Sequence, residues 1–243
     1  MTTIAALGDS IAYGVGDTDS RVTASSWSGR LACTIQADKH QRFAWPGARI
    51  QDVAKTQVAA VLITRPDIIL ISVGGNDAVR RGFCPRKFSD QLHEVVEKLE
   101  RTQAKIVVLN LQDVSRTCPV PGPVRRALAY RVQLLNNAIR ESTAHTTAVI
   151  LDRWNDPTAY QDDYLSIDRV HPSPRGYQQL ARSTAQLLGH NGSQETFDFE
   201  DDTARRTLWV ATKGVPWVLK RSTRLVPGFI SIIRQGSGTG SSL

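Results

Sequence analysis

Short apolar runs alternate with longer amphipathic stretches through most of the chain. The runs predict strands at 3–9, 42–45, 67–73, 105–111 and 148–152, of which 67–73 is β-branched and the clearest and 42–45 is short. The stretches have apolar residues at helical spacing and predict helices, which lie at 26–37, 50–63, 88–102, 124–142 and 175–188. Strands that alternate with helices predict an α/β fold, in which helices cover both sides of a parallel sheet.

Composition divides the chain into three parts. Residues 1–189 carry the alternating pattern and predict one domain, since a chain of 243 residues that is 41% hydrophobic can bury a sizeable core. Residues 190–202 are polar and acidic and predict a linker. Residues 203–243 predict a basic amphipathic extension that ends in a stretch of glycine and serine.

Charge separates the extension from the body. The formal net charge is +7, and residues 204–243 hold seven basic residues and no acidic ones. This leaves 23 basic residues against 23 acidic ones in 1–203, so the body is neutral. A neutral body argues against a nucleic-acid-binding protein, even though the whole sequence is basic.

Three interpretations of the extension stay open. Residues 203–234 interleave aromatic and aliphatic side chains with lysine and arginine. Their apolar face could pack on the body, or it could anchor the protein peripherally on an anionic membrane. The third interpretation is a lid over an active site or a surface for a partner protein. Amphipathicity has the same appearance in each case.

Targeting signals and cysteines predict a cytoplasmic protein, with peripheral membrane association as the alternative. No apolar run approaches the roughly 20 residues of a membrane-spanning helix. The N-terminus MTTIAALGDS has no basic segment and no cleavage-site pattern, so no signal peptide is predicted. Cys33, Cys84 and Cys118 are therefore expected to be free thiols, while a Cys84–Cys118 bridge stays open.

Polar residues follow the ends of the predicted strands. In parallel sheets, reactive groups gather beyond the carboxyl ends of the strands. Ser10, Gly47 and Asn76 come after the first three strands, and Asp168 and His171 lie in the loop after the last one. We therefore expect these five residues to lie close together.

The types of these residues fit acyl transfer by a serine. A serine hydroxyl is a weak nucleophile until a base takes its proton, and the imidazole of His171 can do this near neutral pH. The second imidazole nitrogen needs an acceptor, which Asp168 can supply from three residues earlier. The negative charge that develops on the carbonyl oxygen needs donors, and the candidates are the backbone N–H groups of Ser10 and Gly47 and the side-chain amide of Asn76.

Each motif alone also has an ordinary structural explanation. Gly-Asp-Ser and Gly-Gly-Asn-Asp are typical of turns and helix caps. The Asp-x-x-His spacing recurs at Asp90 and His93, where a helical pattern predicts a surface histidine. Asp168 and His171 instead lie in a loop with two prolines. Three motifs in order, each at or just after the end of a predicted strand, favour the catalytic interpretation.

No metal site or cofactor is predicted. His40, His145 and His190 are scattered along the chain, and the Gly-Val-Gly at 14–16 is too short for a dinucleotide-binding motif. Four aspartates in loops are interpreted as solvated residues, with contact to substrate as the alternative; they are Asp17, Asp19, Asp162 and Asp163.

These motifs resemble those of the SGNH/GDSL hydrolase family. Its first block matches GDS at 8–10, its third matches GGND at 74–77, and its last matches DRVHP at 168–172. The second block, WPGAR at 45–49, matches more loosely, and Ile11 stands where the family often has leucine. The Gly-x-Ser-x-Gly elbow of common α/β-hydrolases is absent from the sequence.

The resemblance implies a flavodoxin-like three-layer α/β/α fold and hydrolysis of ester or thioester bonds without a metal or cofactor. The expected activity is that of a serine esterase or lipase acting on a small-molecule or lipid ester. An acyltransferase with the same residues and a non-catalytic binding module on the same scaffold stay open as alternatives. Acyl chain length, the alcohol portion and the oligomeric state are not predicted.

Overall fold

A five-stranded parallel sheet lies at the centre of the computed structural model, which describes residues 1–17 and 25–190. The strands occur in the order β2-β1-β3-β4-β5, which is the flavodoxin-like order. Their bounds are β1 Thr3–Gly8, β2 Lys39–Arg42, β3 Ile68–Ser72, β4 Lys105–Leu109 and β5 Val149–Leu151. The expected parallel α/β fold is confirmed.

The second strand differs from its prediction. We expected it at 42–45, but β2 ends at Arg42 and pairs with β1 in the register Thr3 to Lys39. β2 is an edge strand, and its polar sequence KHQR is half exposed, so no apolar run marks it. The apolar residues that follow continue beside β1 without a regular ladder, and the Phe43 N–H donates to the Ala6 carbonyl at 2.8 Å.

Helices connect the strands and cover the sheet. Their bounds are α1 Ser10–Tyr13, α2 Trp27–Ile35, α3 Ile50–Asp52, α4 Val58–Thr64, α5 Gly75–Ala78, α6 Pro85–Glu100, α7 Gly122–Thr143 and α8 Pro174–Leu187. The five predicted helices are confirmed with shifted ends. The one predicted at 50–63 is interrupted, because the π-helical turn Val53–Gln57 separates α3 from α4. The short helices α1 and α5 were not predicted.

Two apolar cores lie on opposite sides of the sheet. Successive strand residues point to opposite faces, so a uniformly apolar strand contributes to both cores. Ile69 and Ile71 of β3 pack with α3, α4, α6 and α7. Ile68 and Leu70 of the same strand pack with α2 and α8. These contacts explain why β3 has the clearest apolar run.

The remaining expectations concern the cysteines and the C-terminal residues. Cys33, Cys84 and Cys118 are free thiols, so the alternative Cys84–Cys118 bridge is not formed. The predicted linker, apart from residue 190, and the whole extension lie outside the described residues, and the three-part division of the chain stays a prediction. Within 1–17 and 25–190, no helix combines the length and apolarity needed to cross a bilayer.

Candidate active site

The predicted site residues lie at the point where the strand order reverses. β1 and β3 are neighbours, although β2 comes between them in the chain, and Gly8 pairs with Ser72 at their carboxyl ends. Ligands of doubly wound sheets bind in the crevice at such a point. Ser10 begins α1 directly beyond β1, and Asn76 lies in α5 directly beyond β3.

Gly8 allows the chain to turn sharply out of β1. Its φ is +125°, and a Cβ at this position would lie 1.8 Å from the carbonyl oxygen of Ser72. Only glycine fits both conditions. The buried amide of Gln57 holds this turn, because Gln57 Oε1 accepts from the Gly8 N–H at 2.6 Å and Gln57 Nε2 donates to the Gly8 carbonyl at 3.0 Å. Ser10 is thereby fixed two residues after the strand.

Ser10, His171 and Asp168 form a continuous chain of hydrogen bonds. Ser10 Oγ lies 2.8 Å from His171 Nε2, and His171 Nδ1 lies 2.6 Å from Asp168 Oδ2. Ser10 is 8% exposed and His171 is 5% exposed, so water has little access to the bond between them. An ionised carboxylate can only accept, so Nδ1 carries the proton and Nε2 is free to accept from the Ser10 hydroxyl.

The spacing of three between Asp168 and His171 is set by a tight turn. Asp168 Oδ1 accepts from the backbone N–H groups of Val170 at 2.9 Å and His171 at 3.0 Å. Arg169, inside the turn, has a left-handed backbone with φ of +61°. The turn leaves Oδ2 of the same carboxylate facing the imidazole. One carboxylate therefore holds both the backbone of the loop and the ring of His171.

Side chains from the connection after β4 hold this loop in place. Gln112 Nε2 donates to the Val170 carbonyl at 3.0 Å, and Thr117 Oγ1 donates to the Arg169 carbonyl at 2.7 Å. Neither residue was predicted to belong to the site, since both lie more than 50 positions away in sequence. They bind the carbonyls of the two residues that precede His171 and so position the loop.

The segments that carry Gly47 and Asn76 are joined to the end of β1 and to each other by hydrogen bonds. The Trp45 N–H donates to the Gly8 carbonyl at 3.3 Å, which brings the segment before Gly47 to the end of β1. Asn76 Nδ2 donates one hydrogen bond to the Ala48 carbonyl at 3.1 Å, and its other N–H has no acceptor in the described part of the chain. The Gly47 backbone is left-handed, with φ of +87°.

The two backbone donors have no competing acceptor. Neither the Ser10 N–H nor the Gly47 N–H donates a hydrogen bond to any residue within 1–17 and 25–190. For Ser10 this follows from its position, because the first N–H groups of a helix lack partners within the helix. Both groups are therefore candidates for the donors that the sequence predicts.

A family model for GDSL-like lipases and acylhydrolases matches residues 6–179, which include the end of β1 and the whole Asp168–His171 turn. The chain belongs to this family. The resemblance inferred from the three sequence motifs is thereby confirmed, and membership of a lipase and acylhydrolase family supports ester hydrolysis. No curated protein sequence matches the chain.

Solved structures share the GDSL-family fold of this chain at low sequence identity. An α/β hydrolase named LAE5, from the metagenome of Lake Arreo in Spain, is 19% identical, with a TM-score of 0.63 over 79% of this chain and 97% of its own. A lipase/acylhydrolase from Enterococcus faecalis is 21% identical, with a TM-score of 0.59 over 81% and 100%. The esterase EstA from Pseudoalteromonas sp. is 18% identical, with a TM-score of 0.59 over 78% and 97%.

The two other acidic residues of the sequence motifs are Asp9, which is buried, and Asp77, which is half-buried. Burial raises the pKa of Asp9 to about 7, and this outweighs the hydrogen bond from the Ile11 N–H and the charge of His171, which lower it. Burial also raises the pKa of Asp77 to about 6, against the lowering effects of the Ile50 N–H and the charge of Arg49. Neither residue was predicted to be buried.

The pKa of Asp168 is shifted in the opposite direction, below its ordinary value. Burial alone would raise its pKa. The hydrogen bond and charge of His171, together with the N–H groups of His171 and Val170, outweigh burial and lower the pKa below its ordinary value of 3.8. Asp168 is thus ionised at neutral pH, which is the state that accepts from Nδ1.

The other aspartates differ in their surroundings. Asp162 and Asp163 lie on the surface, as predicted, where they pair with Arg169 and Arg175. The prediction for Asp17 is wrong, because its side chain is buried and both of its oxygens bind the guanidinium of Arg30 at 2.7 Å. Asp19 lies outside the described residues.

His93, the histidine of the second Asp-x-x-His spacing, lies in α6. His93, predicted to be at the surface, is half-buried, and its Nδ1 lies 2.9 Å from the Ser142 carbonyl, so it joins α6 to α7. Asp90 is exposed and does not pair with it. Among the described residues, no group of three or more His, Cys, Asp and Glu side chains could hold a metal ion.

Proposed function

We propose that this chain hydrolyses carboxylic esters through an acyl-enzyme on Ser10. The observation that carries the proposal is the 2.8 Å contact between Ser10 Oγ and His171 Nε2, with Asp168 bound to the other ring nitrogen. This arrangement supplies a nucleophile, a base and a group that orients the base. Membership of the GDSL-like lipase/acylhydrolase family supports the same class of reaction.

In the first half of the reaction, Ser10 Oγ attacks the acyl carbon of the ester while His171 Nε2 takes the hydroxyl proton. The carbonyl oxygen becomes an oxyanion. When the bond between the acyl carbon and the alkoxy oxygen breaks, His171 gives its proton to that oxygen and the alcohol leaves. Asp168 stays ionised and stabilises the imidazolium that forms between these two proton transfers.

In the second half, water attacks the acyl group on Ser10. His171 Nε2 takes a proton from the water as the new carbon–oxygen bond forms, and it returns the proton to Ser10 Oγ as the ester bond to the enzyme breaks. The carboxylic acid leaves, and the hydrogen-bonded chain is restored. Over the two halves, protons move only among Ser10, His171, the leaving alkoxy oxygen and water, while Asp168 stays ionised.

Three donors would stabilise the oxyanion in both halves: the N–H groups of Ser10 and Gly47 and the free amide N–H of Asn76. Donors that are fixed before the reaction need no reorganisation when charge develops. The bond from Asn76 Nδ2 to the Ala48 carbonyl fixes the amide in this way. A substrate carbonyl carries less charge than the oxyanion, so the donors act mainly on the transition state.

Asn76→Ala tests the third donor. We expect kcat for 4-nitrophenyl acetate to fall by roughly 10²–10³-fold with little change in KM, because the lost hydrogen bond is made chiefly in the transition state. Steady-state kinetics measure both constants, and circular dichroism checks that the variant is folded. A rise in KM with kcat unchanged would assign Asn76 to ground-state binding instead.

Covalent labelling tests Ser10 itself. The esterase EstA, which shares the fold, is described as inhibited by monoethylphosphonate. We expect a fluorophosphonate probe to label this chain once, on the peptide that contains Ser10, as identified by mass spectrometry. Ser89 is an internal control, since it is also 8% exposed but lies in α6, away from His171. Labelling that spares Ser10, or that spreads to Ser89, would count against an activated serine.

A further inference from the structure

A cleft with a basic lining lies beside the candidate site. It has a volume of about 220 Å³ and is formed where the segment before α3, the turn after α5 and the start of α6 meet. We call it the basic cleft, because four cationic side chains line it; they are Arg49, Arg80, Arg81 and Lys87. The same lining contains one carboxylate, that of Asp77.

Two residues of the cleft lining are the sequence neighbours of residues at the proposed oxyanion donors. Arg49 follows Ala48, whose carbonyl holds the amide of Asn76. Asp77 follows Asn76, and its Oδ2 accepts from the Ile50 N–H at 3.2 Å. If the carbonyl oxygen of a substrate contacts Asn76, the next residue in the chain, Asp77, already belongs to the cleft lining. The proposed function makes no use of this space.

Three of the four cations of the basic cleft lack an ion-pair partner among the described residues, while the fourth, Arg49, interacts with the carboxylate of Asp77 in the same lining. Arg80, Arg81 and Lys87 are exposed and have no ion-pair partner within the described part of the chain. Arg49 also has a distant ion-pair partner, Asp52, at 3.9 Å. Residues 1–203 are neutral overall, so this local excess is not a reflection of a generally basic body. Like charges that line one concave surface attract and concentrate anions.

The N-terminus of α6 adds to the positive electrostatic potential of the basic cleft. This helix has no side-chain cap, and its first turn holds no acidic residue. Acidic side chains are normally stabilising at this position because the N-terminus of a helix carries a partial positive charge. Here the first turn carries Arg86 and Lys87 instead, so the positive charge of the helix end and that of the side chains add together.

We propose that the basic cleft binds an anionic group, a carboxylate or a phosphate, that is part of the ester substrate. The inference rests on the proposed function and names the class of ester that the site would favour. Pockets for whole drug-sized ligands span about 300–1,000 Å³, so a cleft of about 220 Å³ suits one charged group rather than an entire ligand. The guanidinium groups supply the paired donors that suit carboxylate and phosphate oxygens.

Two pairs of esters test this inference and locate the charge. Mono-4-nitrophenyl adipate against 4-nitrophenyl hexanoate places a carboxylate on the acyl side. The acetyl ester of 4-hydroxybenzoate against that of 4-hydroxybenzamide places it on the alcohol side. For each pair we take the ratio of kcat/KM for the charged ester to kcat/KM for the neutral ester. Comparing this ratio between wild type and variants removes the difference in intrinsic reactivity between the two esters. Inorganic phosphate, titrated calorimetrically, measures anion binding without turnover.

The test variant combines Arg80→Gln, Arg81→Gln and Lys87→Gln, none of which belongs to the proposed catalytic machinery. Each exposed charge contributes little alone, but the three together are expected to lower kcat/KM for the charged member of one pair about tenfold. The neutral member should change less than about twofold, and phosphate binding should weaken to a similar extent as the charged ester. The matched control is Arg86→Gln, which removes an exposed charge beside Lys87 but outside the cleft lining.

The outcomes separate the inference from the proposed function. Loss of selectivity or of phosphate affinity in the triple variant, with Arg86→Gln unchanged, supports the basic cleft as an anion site. If the triple variant keeps both its selectivity and its phosphate affinity, the inference is overturned, while Ser10-dependent hydrolysis of the neutral esters still stands. Hydrolysis that survives Ser10→Ala overturns the proposed function instead. The three single substitutions replace the triple variant if the latter does not fold.

Discussion

Turnover of 4-nitrophenyl acetate is expected to fall by about 10³-fold or more when Ser10 is replaced by alanine. The substitution removes the oxygen that attacks the acyl carbon and leaves His171 Nε2 without its 2.8 Å partner. Water could then be activated by the same imidazole, and the oxyanion donors would remain. Some hydrolysis above the uncatalysed rate is therefore expected in the variant.

The loss should not come from unfolding. Ser10 Oγ has one hydrogen bond within the described residues, to His171, and the turn that precedes it is held by Gly8 and Gln57. The melting temperature should stay close to that of wild type. Ser89→Ala removes a hydroxyl of equal exposure from α6 and should leave turnover unchanged. Wild-type turnover in a folded Ser10→Ala variant would refute the mechanism.

The residues of the candidate site could be predicted because each lies where a regular pattern stops. Ser10 and Asn76 follow strands whose apolar runs end in glycine, and the parallel sheet brings those ends together. Asp168 and His171 gave a weaker signal, since their spacing also occurs at Asp90 and His93. The local structure distinguishes the two pairs. The turn at 168–171 directs the carboxylate of Asp168 to the imidazole of His171, whereas the helix at 85–100 leaves Asp90 exposed.

The residues that support the site could not be predicted in the same way. In the sequence, Gln57 is one of several polar positions in the helix predicted at 50–63, and only the π-helical turn and the close approach of Gly8 give it a role. Gln112 and Thr117 act on a loop that is distant in sequence. The raised pKa of Asp9 depends on burial by elements from the whole fold. Such contacts depend on tertiary packing, and local sequence patterns do not predict them.

Asp168→Asn is expected to lower kcat by about 10³–10⁴-fold, although it changes one atom. The oxygen of the new amide should stay where Asp168 Oδ1 lies, since two backbone N–H groups, of Val170 and His171, donate to that position. The amide NH₂ then takes the place of Oδ2 and donates to His171 Nδ1. This moves the ring proton to Nε2, which can no longer accept from Ser10.

The tautomer change gives a readout that a merely structural loss would not produce. In the imidazole nitrogen spectrum of His171, the wild type should show a protonated Nδ1 and Asp168→Asn a protonated Nε2. The matched control is Asp162→Asn, which makes the same chemical change on the surface, at a partner of Arg169, and should leave turnover within about twofold. If Asp168→Asn retained both full activity and a protonated Nδ1, the carboxylate would not be what orients the imidazole, and the proton transfer from Ser10 would need another explanation.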